Sequence, residues 1–109
     1  MDLNNIATQV DQFIQIQGGY WDIPWLLAAL TEELGELSRA LQINTGIRTG
    51  ITSNRNESNK FSIEEEIGDV FFALICLANK NSIDLEIAVL KTLKKYQNRD
   101  RKKKIQKKL

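Results

Sequence analysis

Apolar residues recur at three- and four-residue intervals in successive segments of this chain, which is the spacing of helices with one buried stripe. The first such segment covers residues 3–16, and two glycines end it. The second begins after Asp22, a suitable N-cap, carries Pro24 in its first turn and extends to about residue 43. The chain has only one Pro and six Gly among its 109 residues, which favours long helices over a turn-rich β fold.

Two further helices are predicted beyond a long polar segment. Residues 44–60 are rich in Asn, Thr, Ser and Gly and show no periodicity, so we expect a loop there. Ser62 and Glu65 have the spacing of a capping box, which predicts a third helix from about 63 to 79. A fourth amphipathic helix is predicted over residues 84–98.

The predicted fold is therefore all-α, with about four helices forming a helical bundle in a single domain over residues 1–100. Residues 101–109 have no core face and are expected to form a disordered basic tail. Residues 70–78 are apolar nearly all round, which predicts that the third helix is central. This apolar surface is too large for a 109-residue monomer to cover, so we expect homo-oligomerisation to complete the core.

The absence of histidine limits the chemistry that this chain can perform. Without His, and with Cys76 as the one cysteine, the usual zinc, di-iron and nucleophile–histidine sites are excluded. Cys76 lies in an apolar run and is expected to be a buried thiol. Carboxylates without nitrogen or sulfur partners suit hard cations, so the expected metal is Mg²⁺, with Mn²⁺ as an alternative.

Nothing in the sequence points to a membrane. No run of 18 apolar residues is present, and the polar, acidic N-terminal segment lacks the profile of a signal peptide, so we expect a cytoplasmic protein. The net charge of +1 is unevenly spread, because nine of the fifteen Lys and Arg residues fall within 94–109. Seven of the fourteen acidic residues fall within 32–36 and 64–69.

These two acidic clusters form a near-repeat. Residues 32–41 read EELGELSRAL and residues 65–74 read EEIGDVFFAL, with five of ten positions identical at an offset of 33. An acidic run alone is typical of a solvated helix face. At 100° per residue, however, Glu33 and Glu36 share one face beside the apolar stripe, and Glu66 and Asp69 do the same on the other helix.

Packing of these two helices along their apolar stripes would bring four carboxylates together in a partly buried place. Like charges within about 4–6 Å raise each other's pKa or require a cation, and a divalent metal ion would resolve the conflict. Three small residues leave room for the ion and a ligand: Ala29, Ala40 and Ala73. The spacing therefore predicts a metal site between the second and third helices.

The order of these motifs resembles that of the MazG-type, all-α nucleoside triphosphate pyrophosphohydrolases. The family's E-E-x-x-E element corresponds to Glu32, Glu33 and Glu36, and its E-x-x-D element corresponds to Glu66 and Asp69. An aromatic entry, YWDIPW, and a Lys-Tyr-x-x-Arg segment at 95–99 also fit. The resemblance covers about 21–99 and implies Mg²⁺-dependent hydrolysis of a (d)NTP to the (d)NMP and pyrophosphate, dimeric or tetrameric assembly, and a role in nucleotide-pool housekeeping.

The site roles follow from the resemblance and from the residue types. The resemblance implies that the metal ligands are Glu33, Glu36, Glu66 and Asp69. Glu32 or Glu36 is the candidate to accept the proton of the attacking water. The candidate substrate-binding residues are cations at spacings of four on the last helix together with two aromatics: Lys91, Lys95, Arg99, Trp25 and Tyr96.

Two other readings remain open from the sequence. The acids could pair with a partner's cations in a non-enzymatic helical interaction module. The basic C-terminal segment could instead bind nucleic acid, although it lacks interleaved aromatics and the net charge of the domain is near zero, so a nucleic-acid partner is not expected.

Overall fold

The part of the chain that the structure describes folds into four α-helices, as the apolar periodicity predicts. The computed structural model describes the backbone of residues 1–45 and 57–108, with side chains described for 1–45 and 62–103. In chain order the helices are α1 (Leu3–Ile16), α2 (Ile23–Asn44), α3 (Glu57–Lys80) and α4 (Leu85–Lys108). The described part of the chain contains no strand.

Local side-chain and backbone contacts set both ends of α1. The carboxylate of Asp2 caps its start by accepting a hydrogen bond of 2.8 Å from the backbone N–H of Asn5. At its end the Gly19 N–H donates to the Ile14 carbonyl and the Gly18 N–H donates to Gln15, the paired bonds of a Schellman motif. Both glycines have positive φ, +106° and +99°, which accounts for the Gly-Gly sequence.

The beginning of α3 and the end of α4 differ from the sequence prediction. Ser62 is inside α3, which begins at Glu57, so the predicted capping box does not mark the start of this helix. The predicted loop 44–60 lies partly outside the described residues, and its last four residues are helical. Residues 101–108, expected to be disordered, continue α4 to Lys108. Lys and Arg are good helix formers even where no core face exists.

α3 is the central helix, as its apolar stretch predicts. α2 packs along it, α1 packs on another part of it, and α4 packs on α1. The core cluster consists of Val10, Leu26, Ile75 and Cys76, one or two residues from each of the first three helices. Ile75 is 2 % exposed, and Cys76 is a free, buried thiol, as predicted.

The single chain is more extended than its length requires. Its radius of gyration is 18.3 Å, against about 13 Å for a compact domain of about 100 residues. Large apolar side chains stay exposed on α2, α3 and α4, among them Leu34, Ile67 and Leu93. Within the described ranges, no helix has the length and hydropathy needed to cross a bilayer.

Candidate active site

Helices α2 and α3 run antiparallel, and this arrangement determines which acidic residues meet. Leu26 on α2 shares the core with Ile75 and Cys76 on α3. About two helical turns further along α2, Glu33 lies beside Glu66 and Asp69. One end of the helix pair is therefore apolar core, and the other end carries the carboxylates.

Three carboxylates converge at that end. Each of Glu33, Glu66 and Asp69 offers an oxygen, and the three oxygens lie within 4.8 Å of one another. The side chains of Glu33 and Glu66 are half-buried, and Asp69 is exposed. The Oε2 atoms of both glutamates are buried and have no hydrogen-bond partner among the described residues. Buried charged oxygens are costly to leave unpaired, so this donor set fits a hard divalent cation.

The electrostatics of the cluster reflect the same crowding. Burial raises the pKa of Glu33, and the nearby charges of Glu36 and Asp69 raise it further. The pKa of Glu66 is raised by the same causes in the same order. Glu36 is itself exposed, but its carboxylate contributes to the raised pKa of both half-buried glutamates, so it belongs to the cluster.

A cleft of about 360 Å³ opens beside the carboxylates, within the usual volume range of small-molecule sites. Glu33 and Asp69 line one end of it, and Leu26 and Cys76 line the other. Its remaining walls come from α1, the α1–α2 connection and α3, and they include Ile14, Gln17, Tyr20, Trp21 and Phe72. The small residues Ala29 and Ala73 line the cleft between the two ends, which leaves its centre open.

Tyr20 is held at the apolar end of this cleft by a polar network. Its hydroxyl donates to Asp11 Oδ1 at 2.7 Å, and Asn79 Nδ2 donates to that hydroxyl at 3.0 Å. Asn79 also donates to the Ala7 carbonyl at 3.0 Å. Burial and the bond to Asp11 raise the pKa of Tyr20 to about 12, so the phenol stays protonated at neutral pH.

The other predicted site residues lie elsewhere in the single chain. Glu32 is exposed on α2 and is not one of the three clustered carboxylates. Lys91, Lys95 and Arg99 line a separate groove on α4, and they do not line the carboxylate cleft. Their role in substrate binding stays a prediction.

The two predicted aromatic contacts are also outside the cleft. Trp25 is 68 % exposed and lines a neighbouring hollow with Tyr20, Trp21 and Asp22. Tyr96 is half exposed on α4, with Lys95 Nζ 5.2 Å from its ring centroid. The sequence did not single out Gln17 and Phe72, which line the cleft. It also missed Asp11 and Asn79, the partners of Tyr20, because the packing of distant segments creates that network.

The chain is similar in sequence to a known protein family and to a known bacterial protein. Residues 24–103 match the MazG nucleotide pyrophosphohydrolase domain. The uncharacterized protein YpjD of Bacillus subtilis (strain 168) is 41% identical over 100 residues, which cover 91% of this chain and 86% of YpjD.

Two solved structures share the fold. The crystal structure of YPJD from Bacillus subtilis matches with a TM-score of 0.77 at 38% identity, covering 88% of this chain and 95% of that one. A Bacillus-conserved MazG protein, described as a nucleotide pyrophosphohydrolase, matches with a TM-score of 0.69 at 36% identity, covering 88% of this chain and 90% of that one. The family match over residues 24–103 includes both acidic clusters.

Proposed function

Since this chain belongs to the MazG nucleotide pyrophosphohydrolase family, we propose that it hydrolyses a nucleoside triphosphate between the α- and β-phosphates. One water is consumed, and a nucleoside monophosphate and pyrophosphate are released. The observation that carries this proposal is the carboxylate cluster, with two buried oxygens that have no partner among the described residues, at one end of a largely apolar cleft. Such a site offers a place for metal-bound phosphates at one end and for a nucleoside at the other.

The residues that would hold the metal are Glu33, Glu66 and Asp69, with Glu36 beside them. An all-oxygen donor set favours Mg²⁺, with Mn²⁺ as the substitute. When bound, the cation supplies the positive charge that lets a triphosphate of about four negative charges approach four carboxylates.

The remaining tasks fall to side chains of this chain. Glu36 is exposed and adjoins both half-buried glutamates, which makes it the stronger candidate to accept the proton of the attacking water. Glu32, one turn earlier on the same helix, is the alternative. The apolar cleft walls would hold the nucleoside and exclude bulk water from that half of the substrate.

We further propose that the working form is a homodimer or homotetramer. The exposed apolar side chains of α2, α3 and α4, together with the extended shape, support a shared core. In the single chain Lys91, Lys95 and Arg99 line a separate groove and not the cleft, so we propose that their contact with the pyrophosphate group comes from a second copy.

A nucleotide panel tests the reaction. Pyrophosphate and nucleoside monophosphate release would be measured with Mg²⁺, with Mn²⁺ and with EDTA, for the wild-type protein and for Glu66→Gln and Glu33→Gln. We expect release only with metal and a loss of at least 100-fold in kcat/KM in both variants. Glu64→Gln, an exposed change on the same helix outside the cluster, is the matched control and should retain activity.

Two outcomes would contradict the proposal. Release of inorganic phosphate and a nucleoside diphosphate would show that a different bond is broken. No turnover of any nucleotide with either metal, together with no thermal stabilisation by Mg²⁺, would favour the non-enzymatic interaction module instead.

A further inference from the structure

Tyr20 is an aromatic residue of the cleft wall whose hydroxyl makes two side-chain hydrogen bonds. It lies in the connection between α1 and α2, yet its hydroxyl bonds to Asp11 in the middle of α1 and to Asn79 near the end of α3. The second donor bond of Asn79, to the Ala7 carbonyl, anchors the amide to α1 as well. Two helices, α1 and α3, therefore hold one side chain of the α1–α2 connection.

The position of this network relative to the carboxylates is set by the antiparallel helices. Asn79 lies ten residues beyond Asp69 on α3, or about 15 Å along the helix. Cys76, at the apolar end of the cleft, is within one turn of Asn79. The network thus acts at the end of the cleft away from the carboxylates, where a nucleoside would lie if the phosphates were held at the metal.

The hydroxyl of Tyr20 has little capacity left for a ligand. Its single proton is directed to Asp11, and one of its two acceptor positions receives the Asn79 amide. Tyr20 lines the cleft, and with its hydroxyl engaged the ring is the part of the side chain left to contact a bound molecule. The raised pKa of Tyr20 keeps that proton in place across the physiological range.

We propose that Asp11 and Asn79 are positioning residues that act through Tyr20, holding its ring as the wall against which the nucleoside half of the substrate packs. The inference rests on the proposed function, because it takes the cleft to be the nucleoside side of the site. It follows that the two ends of the site contribute separately to substrate binding. The network governs affinity for the nucleoside and leaves the pyrophosphate half unaffected.

Product inhibition separates the two halves of the substrate. Tyr20→Phe keeps the ring and removes both hydrogen bonds to the hydroxyl, and Asp11→Ala keeps Tyr20 and Asn79 and removes one bond. For each variant, inhibition constants for a nucleoside monophosphate and for inorganic pyrophosphate would be measured, together with kcat, KM and the thermal midpoint.

We expect both variants to weaken inhibition by the monophosphate about fivefold to tenfold, since one or two hydrogen bonds that fix the ring are lost. KM for the triphosphate should rise by a similar factor. Inhibition by pyrophosphate and kcat should stay within about twofold of the wild type, because the carboxylate end is unchanged. Thr8→Val removes an exposed hydroxyl from α1 outside the network and should change none of these constants.

Unchanged monophosphate inhibition in folded Tyr20→Phe would overturn the inference. Equal weakening by monophosphate and pyrophosphate would also overturn it, because a merely structural role would loosen the whole site. If the wild-type protein hydrolyses no nucleotide, the proposed function fails separately. Monophosphate binding would then be read from the intrinsic tryptophan fluorescence, and absence of any wild-type binding, or equal binding by Tyr20→Phe, would refute the positioning role.

Discussion

The end of α3 carries a strained residue whose replacement has a calculable effect on stability. The Ile83 N–H donates to the Ala78 carbonyl at 2.9 Å and the Ser82 N–H donates to the Asn79 carbonyl at 3.1 Å, which forms a Schellman motif. The motif requires a left-handed residue at its centre, and Ser82 has φ +56° there. Glycine occupies the equivalent position at the end of α1.

Ser82→Gly should therefore stabilise the protein. The left-handed conformation costs a residue with a Cβ about 1–2 kcal/mol, and glycine loses about 0.5–1 kcal/mol more backbone entropy on folding. The difference predicts a gain of about 0.5–1 kcal/mol in the free energy of unfolding. For a domain of this size that corresponds to a rise of roughly 3–6 °C in the thermal midpoint.

Thermal and urea unfolding of the metal-free protein, followed by circular dichroism, measure this gain. Ser82→Ala is the matched control, because it removes the hydroxyl but keeps the Cβ and should give no stabilisation. A lower midpoint for Ser82→Gly than for the wild type would refute the reasoning. Equal gains in both variants would show that the hydroxyl, and not the backbone, sets the cost.

Three other predictions concern the acids, the glycines and the aromatics. Without metal, the free energy of unfolding should fall as pH rises above the ordinary carboxyl range, because the half-buried glutamates bind protons more tightly in the folded chain. Thermal scans in EDTA should show this fall, and Glu33→Gln should make it smaller. Gly35→Ala and Gly68→Ala should each add about 1 kcal/mol in urea unfolding, since no described atom lies within 4 Å of the new Cβ; a loss would indicate a second copy packed there. Fluorescence quenching by nucleotide should persist in Trp25→Phe and disappear in Trp21→Phe, and the reverse result would place the base in the neighbouring hollow.

The sequence predicted the ends of helices correctly where local residues determine them. The two glycines end α1, and the N-cap position of Asp22 and the location of Pro24 in the first turn of α2 were predicted, although Asp22 makes no side-chain capping bond. The predicted start of α3 was wrong, because the capping-box spacing at Ser62 lies inside a helix that begins five residues earlier. A capping-box spacing shows only that a helix could begin at that residue, and here the helix continues through it.

The acidic cluster was accessible from sequence because two periodic patterns define it. Helical spacing placed Glu33 and Glu66 beside apolar stripes, and packing of those stripes brings their carboxylates together. The Tyr20 network was not accessible, since Asn79 lies 59 residues away along the chain and only the packing of α1 on α3 brings it near. Contacts of that kind depend on helix positions that no local pattern encodes.

All the clustered acids lie on helices, in the middle of α2 and of α3, and none lies on a loop. The distances between their carboxylates are therefore set by the same helix packing that forms the core around Ile75. A site built in this way is preorganised, so little conformational entropy is lost when a ligand binds. In the proposed site, changes in substrate preference would arise at the cleft walls, in the α1–α2 connection, while the positions of the carboxylates stay constant.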